Sequence, residues 1–373
     1  MSRVPEGRTV NTVVSDALNG LLRPMMFGEI PVSNRVIMAP LTRLRAEPDG
    51  TPGEIVARYY AQRASMGLIV SEGTFFTEAS RGYLGQPGLV DDAHQAAWAR
   101  VAAAVHAAGG KIVVQLMHAG RLTHPGITGG REVLAPSAIA APGTARTEAG
   151  KERFPIPTAL TTASAGDVAH QFARAAERAV AAGMDGVEIH AANGYLLHQF
   201  LAPNSNQRID RYGGTPRNRA RLVEEVIDAV GCAIGSGRVG LRISPGHDVQ
   251  GTLETDSADV VATYGTLVDH VNRGDLAYLS ILHDRPEGSL VQELRRRFAG
   301  PLVLNTGFAS ITTLSDASAM LRGAGADAVA VGRAAIANPD LVERWRDGCA
   351  LNVLRPQTFY VGGPEGYVDY PRR

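Results

Sequence analysis

The sequence predicts a single (β/α)8 barrel, the TIM-barrel fold of the α/β class. Eight short runs rich in Val, Ile and Leu alternate with amphipathic segments, the pattern of a parallel sheet with helices packed on it. Polar residues or glycines follow most runs directly, and a barrel carries its chemistry at that end of its strands. The predicted barrel strands cover residues 36–39, 68–71, 111–116, 187–189, 239–243, 276–281, 302–305 and 328–331. The clearest predicted helices cover residues 54–66, 92–108, 166–182, 217–234 and 257–272.

Residues 1–22 are expected to form an N-terminal arm and residues 23–373 the barrel domain, since no change of composition marks a second domain. Residues 27–30 predict one strand of a hairpin that turns through Pro31 and plugs the bottom of the barrel. Residues 117–160, after the third barrel strand, are rich in Gly, Pro, Thr and Ala and lack periodicity. A loop of this length is usually functional. We therefore expect a cap over the barrel mouth, with a disordered insertion as the alternative.

The composition argues against several classes of protein. The 373 residues carry 37 basic and 37 acidic side chains, so the formal net charge is zero and no basic run points to nucleic acid or a membrane surface. No stretch reaches the roughly 18 apolar residues of a membrane span, and no signal peptide is recognisable. Cys232 and Cys349 are too few for an iron–sulfur cluster or a structural zinc site. We expect a cytoplasmic protein without a metal site.

Residues 186–203, GVEIHAANGYLLHQFLAP, contain the strongest candidate for an active site. The strand ends at His190, and Asn193 and Tyr195 follow, with Gly194 permitting a sharp turn between them. At a barrel mouth, a histidine and an asparagine can both donate hydrogen bonds to one oxygen, and a phenol can donate a proton. The alternative is structural: a histidine at a strand end, an ordinary Asn-Gly turn and a tyrosine in the core.

The ends of the last two strands suit an anion. Glycines there let backbone N–H groups approach a phosphate, and an arginine would neutralise its charge. Thr306 and Gly307 follow the seventh strand, and Gly332 and Arg333 follow the eighth. This is the usual place for a phosphate in a barrel, although a glycine after a strand is also a common turn residue.

Arg242 stands near the end of the fifth strand, where a buried charge without a partner would be costly. It would either balance negative charge on a cofactor ring or form a salt bridge with a carboxylate such as Glu188. Gln115 and Thr42, also at strand ends, offer amide and hydroxyl groups suited to a flat heterocycle with several N and O atoms.

Together these motifs resemble the Old Yellow Enzyme family of flavin-dependent ene-reductases, over nearly the whole length from Met26 to Pro371. The chain departs from the pattern at Met117, where many relatives have an aromatic residue, and in residues 81–89 and 305–308. The matching stretches are residues 38–43 (MAPLTR), 115–121 (QLMHAGR), 187–201, 206–208, 212–214, 218–221, 332–333, 338–341, 358–360 and 366–371.

The resemblance implies a bound FMN. One side of its ring would lie against the end of the first strand, with Thr42 near the C4 oxygen. Gly73 and Gln115 would contact the pyrimidine part, and Arg242 would lie beside N1 and O2. The last two strand ends would hold the phosphate. The full implied set of FMN contacts is Ala39, Pro40, Leu41, Thr42, Gly73, Gln115, Arg242, Thr306, Gly307, Gly332, Arg333 and Phe359.

The resemblance also implies a reaction. NADPH or NADH would reduce the flavin, whose N5 would pass hydride to the β-carbon of an activated alkene, an α,β-unsaturated carbonyl or a nitroalkene. His190 and Asn193 would bind the carbonyl or nitro oxygen, and Tyr195 would protonate the α-carbon. Tyr360 would face the substrate, and Met117 would shape one wall of its pocket.

Other functions remain open from the sequence. The same site would suit reduction of nitro compounds or nitrate esters, or one dedicated step of natural-product biosynthesis. A flavin-free barrel lyase or isomerase that binds a sugar phosphate is a more distant alternative, as is a non-catalytic binding barrel. Lys111 and Lys151 do not fall at strand ends, so no Schiff-base lysine is evident. The expected partners are a small alkene and a nicotinamide, and the expected assembly is a monomer or homodimer.

Overall fold

The computed structural model describes residues 18–373, and a closed barrel of eight parallel strands forms its centre. The barrel strands follow one another in chain order, and the last pairs with the first. In chain order the strands are β1 (Met25–Phe27), β2 (Ile30–Val32), β3 (Val36–Met38), β4 (Leu68–Val70), β5 (Ile112–Leu116), β6 (Leu134–Ala135), β7 (Thr144–Thr147), β8 (Gly150–Arg153), β9 (Thr158–Ala159), β10 (Gly186–Ala191), β11 (Val239–Ile243), β12 (Tyr278–Leu282), β13 (Leu302–Asn305) and β14 (Ala328–Val331). The barrel consists of β3 to β5 and β10 to β14, which confirms the predicted fold class.

Helices cover the outside of the barrel, so that every residue of the barrel strands is buried. This burial explains why the strands read as continuous apolar runs and not as alternating ones. The helices are α1 (Glu54–Ala61), α2 (Asp92–Ala107), α3 (Thr162–Ala181), α4 (Leu196–Leu201), α5 (Pro216–Ile234), α6 (Ser257–Val271), α7 (Ser289–Arg297), α8 (Leu314–Gly323), α9 (Arg333–Ala337) and α10 (Leu341–Asp347).

Side-chain caps set the starts of the long helices. Asp91, Thr161, Thr215 and Asp256 each accept a hydrogen bond from a backbone N–H in the first turn of α2, α3, α5 and α6. The predicted start of α3 at Gly166 was therefore wrong by one turn, because Thr161 caps the helix earlier.

The predicted plug is present at the bottom of the barrel. β1 pairs antiparallel with β2, and Phe27 packs against Tyr278 inside the barrel with their ring centroids 5.1 Å apart. The turn was predicted at Pro31 but lies at Gly28 and Glu29, where Gly28 has φ +53°. Glycine tolerates this left-handed conformation, whereas Pro31 lies within β2, an edge strand that does not need its N–H.

The predicted cap after β5 is folded. β7 and β8 form an antiparallel hairpin, and β6 pairs with β9. Leu122 and Ala141 from this segment pack in one apolar cluster with Tyr195, so the cap covers the mouth beside the candidate site. The alternative of a disordered insertion was wrong, because the short strands form their own ladders without any periodic apolar pattern.

The predicted N-terminal arm lies mostly outside the described residues, which begin at Leu18. Within the described part, Leu21 is fully buried and its carbonyl accepts a hydrogen bond from the Arg35 N–H at 2.7 Å. The domain boundary after residue 22 stays a prediction. Among residues 18–373, no helix combines the length and the apolar character needed to cross a membrane.

Candidate active site

A sharp turn at the end of β10 builds the candidate site. Asn193 and Gly194 are both left-handed, with φ +57° and +84°, a conformation that asparagine tolerates better than most residues. A Cβ at Gly194 would lie 2.9 Å from the Gln250 Cβ, so glycine is required. The Asn193 N–H donates to Ser244 Oγ at 2.9 Å, and its carbonyl accepts from Gln250 Nε2 at 2.7 Å. The turn places Tyr195 at the start of α4.

The turn brings the three predicted residues together. The rings of His190 and Tyr195 lie 5.0 Å apart. His190 Nδ1 and Asn193 Oδ1 are buried without a hydrogen-bond partner among the described residues. Burial and the neighbouring charge of Arg242 lower the pKa of His190 well below its usual value, so its imidazole is neutral near pH 7. A neutral imidazole has one N–H donor, and the site therefore offers unused polar groups to a ligand.

The Tyr195 hydroxyl lies 2.7 Å from the Tyr83 hydroxyl. Burial raises the pKa of Tyr195, and that of Tyr83 even more, so both phenols stay protonated near neutral pH. One hydroxyl must donate to the other. If Tyr83 donates, the Tyr195 proton is free for another acceptor. Met117 packs in the same apolar cluster as Tyr195 and forms part of the wall, where the sequence predicted a reshaped pocket.

Arg242 lies opposite His190 in the strand register, inside the barrel mouth. Its Nη1 donates to Ser280 Oγ at 3.1 Å, while its buried Nε has no partner among the described residues. Glu188 accepts instead from Gln115 Nε2 at 2.7 Å and from the Tyr278 hydroxyl at 3.0 Å. No ion pair within 4.0 Å joins Arg242 to Glu188, so the alternative of a salt bridge between them was wrong.

The ends of β3 and β4 form the neighbouring wall. Ala39 is buried, and its N–H donates to the Val331 carbonyl at 3.0 Å. The half-buried Pro40, Leu41 and Thr42 follow at the mouth, as predicted. Gly73 follows the neighbouring strand β4, and a Cβ there would lie 2.7 Å from Met117 Sδ, so this position leaves no room for a side chain unless Met117 moves.

Arg333 follows β14, at the predicted phosphate position, and one of its guanidinium nitrogens is hydrogen-bonded to backbone carbonyls. Its Nη2 donates to the carbonyls of Phe308 at 2.7 Å and Ser310 at 2.5 Å. These bonds orient the guanidinium and leave its Nε and Nη1 without hydrogen bonds to described residues. Gly332, which precedes it, packs closely: a Cβ there would lie 3.3 Å from Leu41 Cδ2.

The loop after β13 places the other predicted phosphate contacts. The Thr306 hydroxyl lies 3.0 Å from that of Thr312. Gly307 is left-handed at φ +80°, and its N–H donates to Asn305 Oδ1 at 3.1 Å. The expectation of a free Gly307 N–H is therefore not met in this structure, because the preceding asparagine side chain folds back to accept it.

The C-terminal segment forms the edge of the mouth. Phe359 and Leu41 pack against the same apolar cluster of Ile336, Ala337 and Tyr370. Phe359 therefore lies near Leu41, in the loop that follows β3, and its contact with the FMN ring stays a prediction. The Tyr360 side chain is 60% exposed, at the outer rim of the site.

The two other histidines of this region are structural. His118 is buried, and its Nδ1 accepts from the Gly120 N–H at 3.0 Å. Burial lowers the pKa of His118 to about 3. His198 is fully buried, not on the helix surface, and its Nδ1 accepts from the Gly194 N–H at 2.9 Å. It therefore supports the turn that carries Asn193.

The side chains at the mouth fit an FMN. A planar heterocycle with alternating N and O atoms needs hydrogen-bonding groups from one rim of the barrel, and the buried Arg242 Nε lacks a partner there. The Thr42 hydroxyl also has no hydrogen bond to a described residue, and Gln115 lies on β5, between β4 and β10. Gly332 and Arg333 at the end of β14, the neighbour of β3, suit a phosphate beside the ring.

Comparison with known proteins places the chain among flavoenzymes. The model of a family described as NADH:flavin oxidoreductase / NADH oxidase matches residues 20–352. A probable flavin mononucleotide-dependent alkene reductase of Leishmania infantum is 37% identical over 369 residues, covering 96% of this chain and 99% of that protein. The 12-oxophytodienoate reductase 7 of Oryza sativa subsp. japonica is 35% identical and covers 94% of both chains.

Solved structures agree with these relatives. Morphinone reductase in complex with tetrahydroNAD is 43% identical and superimposes with a TM-score of 0.89, covering 95% of this chain and 98% of that one. The old yellow enzyme homologue from Zymomonas mobilis is 39% identical with a TM-score of 0.88, covering 94% and 99%.

The barrel and its site define a flavin-dependent oxidoreductase. The chain belongs to the NADH:flavin oxidoreductase / NADH oxidase family, as an enzyme of the Old Yellow Enzyme type that depends on FMN and a nicotinamide reductant. The resemblance found in the sequence is thereby confirmed. A flavin-free lyase or isomerase and a non-catalytic barrel are excluded.

Three contributors to the site were not predicted. Tyr83 comes from a loop with no periodic pattern, so only the fold brings it to Tyr195. Gln250 lies in the loop after β11 and supports the Asn193 carbonyl. Glu188 was considered only as a partner for Arg242, although an acidic residue inside an apolar strand already signals a buried polar network.

Proposed function

We propose that this enzyme reduces activated alkenes, namely α,β-unsaturated carbonyls or nitroalkenes, at the end of β10. The observation that carries the proposal is the placement of the His190 imidazole and the Asn193 side-chain amide beside the Tyr195 phenol, with neither side chain hydrogen-bonded to a described residue. The Asn193 Nδ2 and one imidazole N–H would be the donors. The named activities of the relatives, an alkene reductase and 12-oxophytodienoate reductases, support the same chemistry.

Bound FMN would supply the hydride after taking it from NADPH or NADH. We assign the ring to the mouth between β3 and β11, where the positive charge of Arg242 would stabilise negative charge next to it. Phe359 would pack against the ring. The remaining assigned contacts are Ala39, Pro40, Leu41, Thr42, Gly73 and Gln115 for the ring and Thr306, Gly307, Gly332 and Arg333 for the phosphate.

His190 and Asn193 would bind the carbonyl or nitro oxygen of the substrate. Negative charge grows on this oxygen as the β-carbon receives hydride, so hydrogen bonds to it strengthen in the transition state. Because burial and Arg242 keep His190 neutral, the imidazole would donate one N–H and would not carry a competing charge. Met117 and Tyr360 would border the pocket in which the rest of the substrate lies.

Tyr195 would complete the reduction by transferring its hydroxyl proton to the α-carbon. The O–H bond of the phenol breaks as the new C–H bond forms, and the phenolate then recovers a proton through Tyr83 or from water. Burial raises the pKa of Tyr195, so the phenol holds its proton until the α-carbon becomes basic. The Tyr83 hydroxyl at 2.7 Å would fix the orientation of the Tyr195 hydroxyl.

Separating the two half-reactions tests the proposal. A Tyr195→Phe variant removes only the acid, so flavin reduction by nicotinamide should stay within about twofold of the wild type. Alkene reduction should slow by about a hundredfold or more, the usual contribution of a positioned acid. Rapid mixing under anaerobic conditions measures both steps. Equal slowing of the two steps, or no slowing of either, would remove Tyr195 from this role.

Assembly and location stay proposals as well. We propose a cytoplasmic monomer or homodimer whose partners are the small alkene and the nicotinamide. Light scattering of the purified protein would decide between the two assemblies.

A further inference from the structure

Arg45 lies in the loop between β3 and α1 and is a buried cation without a carboxylate partner. It is 7% exposed, and no ion pair within 4.0 Å among the described residues includes it. Burial and the like charge of Arg43 lower its pKa, yet a guanidinium remains charged in proteins. A buried charge is costly unless it is well hydrogen-bonded, so the groups around Arg45 must compensate it.

Backbone carbonyls surround the Arg45 guanidinium. Nη1 donates to the carbonyls of Arg43 at 2.6 Å and Phe359 at 2.8 Å, and Nη2 to those of Thr358 at 2.6 Å and Val361 at 2.7 Å. The guanidinium carbon also lies 4.7 Å from the centre of the Tyr367 ring. Longer contacts at 3.3 to 3.4 Å reach the carbonyls of Gly362, Gly363 and Glu365.

Most of these carbonyls belong to residues 358–365, a segment that depends on Arg45. Val361 is 48% exposed, and Gly362 and Gly363 are left-handed, with φ +59° and +38°. Among the described residues, the carbonyls of residues 361–363 and 365 receive hydrogen bonds from Arg45 alone. Arg45 therefore holds the middle of this segment, while Arg43 donates to the carbonyls of Phe359 at 3.1 Å and Gly366 at 2.7 Å near its two ends.

The segment begins at Phe359 and Tyr360, which border the mouth. We propose that Arg45 is a positioning residue that fixes residues 358–365 and thereby sets the place of Tyr360 at the rim of the substrate pocket. The expected effect on the KM for the alkene rests on the proposed function. Arg45 is not assigned a contact with substrate or cofactor, and the Phe359 carbonyl keeps a second donor in Arg43 Nε at 3.1 Å. The effect of Arg45 should therefore be on substrate affinity and not on the chemical step.

An Arg45→Lys variant tests the role directly, because lysine keeps the charge but has three donors on a point-like group and cannot span these carbonyls. In the FMN-loaded enzyme, the KM for a cyclic enone should rise by about tenfold, a size that loss of charge-assisted hydrogen bonds can produce, with kcat within about twofold. The double variant Arg45→Lys/Tyr360→Ala should have a KM close to that of Arg45→Lys alone. Arg238→Lys, whose partner is the Glu29 carboxylate in the plug at the bottom of the barrel, is the control and should change neither value.

A second readout does not depend on turnover. Chymotrypsin should nick Arg45→Lys after Phe359 and Tyr360 faster than the wild type, whereas nicking after the exposed Phe308 should be unchanged. If alkenes fail to reoxidise the enzyme, the proposed function is contradicted. The rate of chymotrypsin cleavage after Phe359 and Tyr360 then still tests the role of Arg45. If KM and nicking both match the wild type, the role is overturned.

Gly363→Val keeps the test open if Arg45→Lys does not fold. A β-branched residue disfavours the left-handed conformation of this exposed position, and nothing lies within 4 Å of its Cβ. It should release the segment from an intact Arg45 and raise both KM and the nicking rate. Unchanged values in this variant would also overturn the proposal.

Discussion

Burial controls the protonation of the side chains at the end of β10. It lowers the pKa of His190, assisted by Arg242, and raises the pKa of Tyr195, so both groups are neutral near pH 7. A neutral imidazole and a protonated phenol are the states that oxygen binding and proton transfer would need. The sequence predicted these residue types and their closeness, because all come from one turn. It did not predict Tyr83, since the partner loop is 112 residues away in the chain.

The Tyr83–Tyr195 pair leads to a prediction on the rate of alkene reduction. Tyr83→Phe removes one hydroxyl and leaves the acid in place, so the Tyr195 hydroxyl loses its fixed orientation. We expect alkene reduction to slow by about three- to tenfold, corresponding to the net value of one hydrogen bond. Flavin reduction should be unaffected. Single-turnover kinetics of the two half-reactions measure this, and a loss as large as that of Tyr195→Phe would mean that Tyr83 itself is the acid.

Among the elements, the barrel strands were predicted best and the connections least well. Buried parallel strands give continuous apolar runs, and β11, β13 and β14 have the predicted bounds. The hairpin turn was placed at Pro31 and not at Gly28. The strands of the cap were missed, because the ladder between the short polar strands β7 and β8 leaves no periodic apolar signal. Strand register also could not be read, although it places Gly240 opposite Tyr278 and so makes room for the Tyr278–Glu188 hydrogen bond.

Gly240 provides a prediction on stability. A Cβ at this position would lie 2.2 Å from the Tyr278 ring, so Gly240→Ala must displace the ring that donates to Glu188. We expect the free energy of unfolding to fall by about 1–3 kcal/mol, the usual cost of overpacking. Urea denaturation measures the change. Gly274→Ala, whose Cβ would meet its nearest neighbour at 3.5 Å, is the control, and equal effects in the two variants would show that Tyr278 is not constrained.

For the whole molecule, the fold class and the family followed from the order of motifs along the chain. The distribution of charge inside the barrel did not, because it depends on which donor meets each buried group. Gln115 and Tyr278 donate hydrogen bonds to Glu188, and Arg242 Nε has no acceptor among the described residues. The spacing of these residues in the sequence does not predict this pairing. Burial also lowers the pKa of His118 and His190. Protonation of such a histidine favours the unfolded chain, so the stability of the fold depends on pH.

His118 allows the dependence of the unfolding free energy on pH to be predicted. Its pKa falls from 6.5 to about 3 on folding, so the stability linked to its neutral form is complete above pH 6.5 and is lost as pH falls toward 3. The loss is about 1.4 kcal/mol per pH unit within this window. His118→Asn keeps an acceptor for the Gly120 N–H but does not titrate, so its unfolding free energy should fall less steeply between pH 6.5 and 4.5. Urea denaturation at several pH values tests this, and parallel slopes would contradict it.

The proposed reaction is tested most directly by reoxidation of the reduced enzyme without oxygen. The FMN-loaded protein is first bleached anaerobically with NADPH or NADH and then mixed with a cyclic enone or a nitroalkene. We expect the visible flavin absorption to return and one equivalent of saturated product to form per flavin. If the flavin stays reduced with enones, enals and nitroalkenes alike, the assignment of His190, Asn193 and Tyr195 to alkene reduction is contradicted.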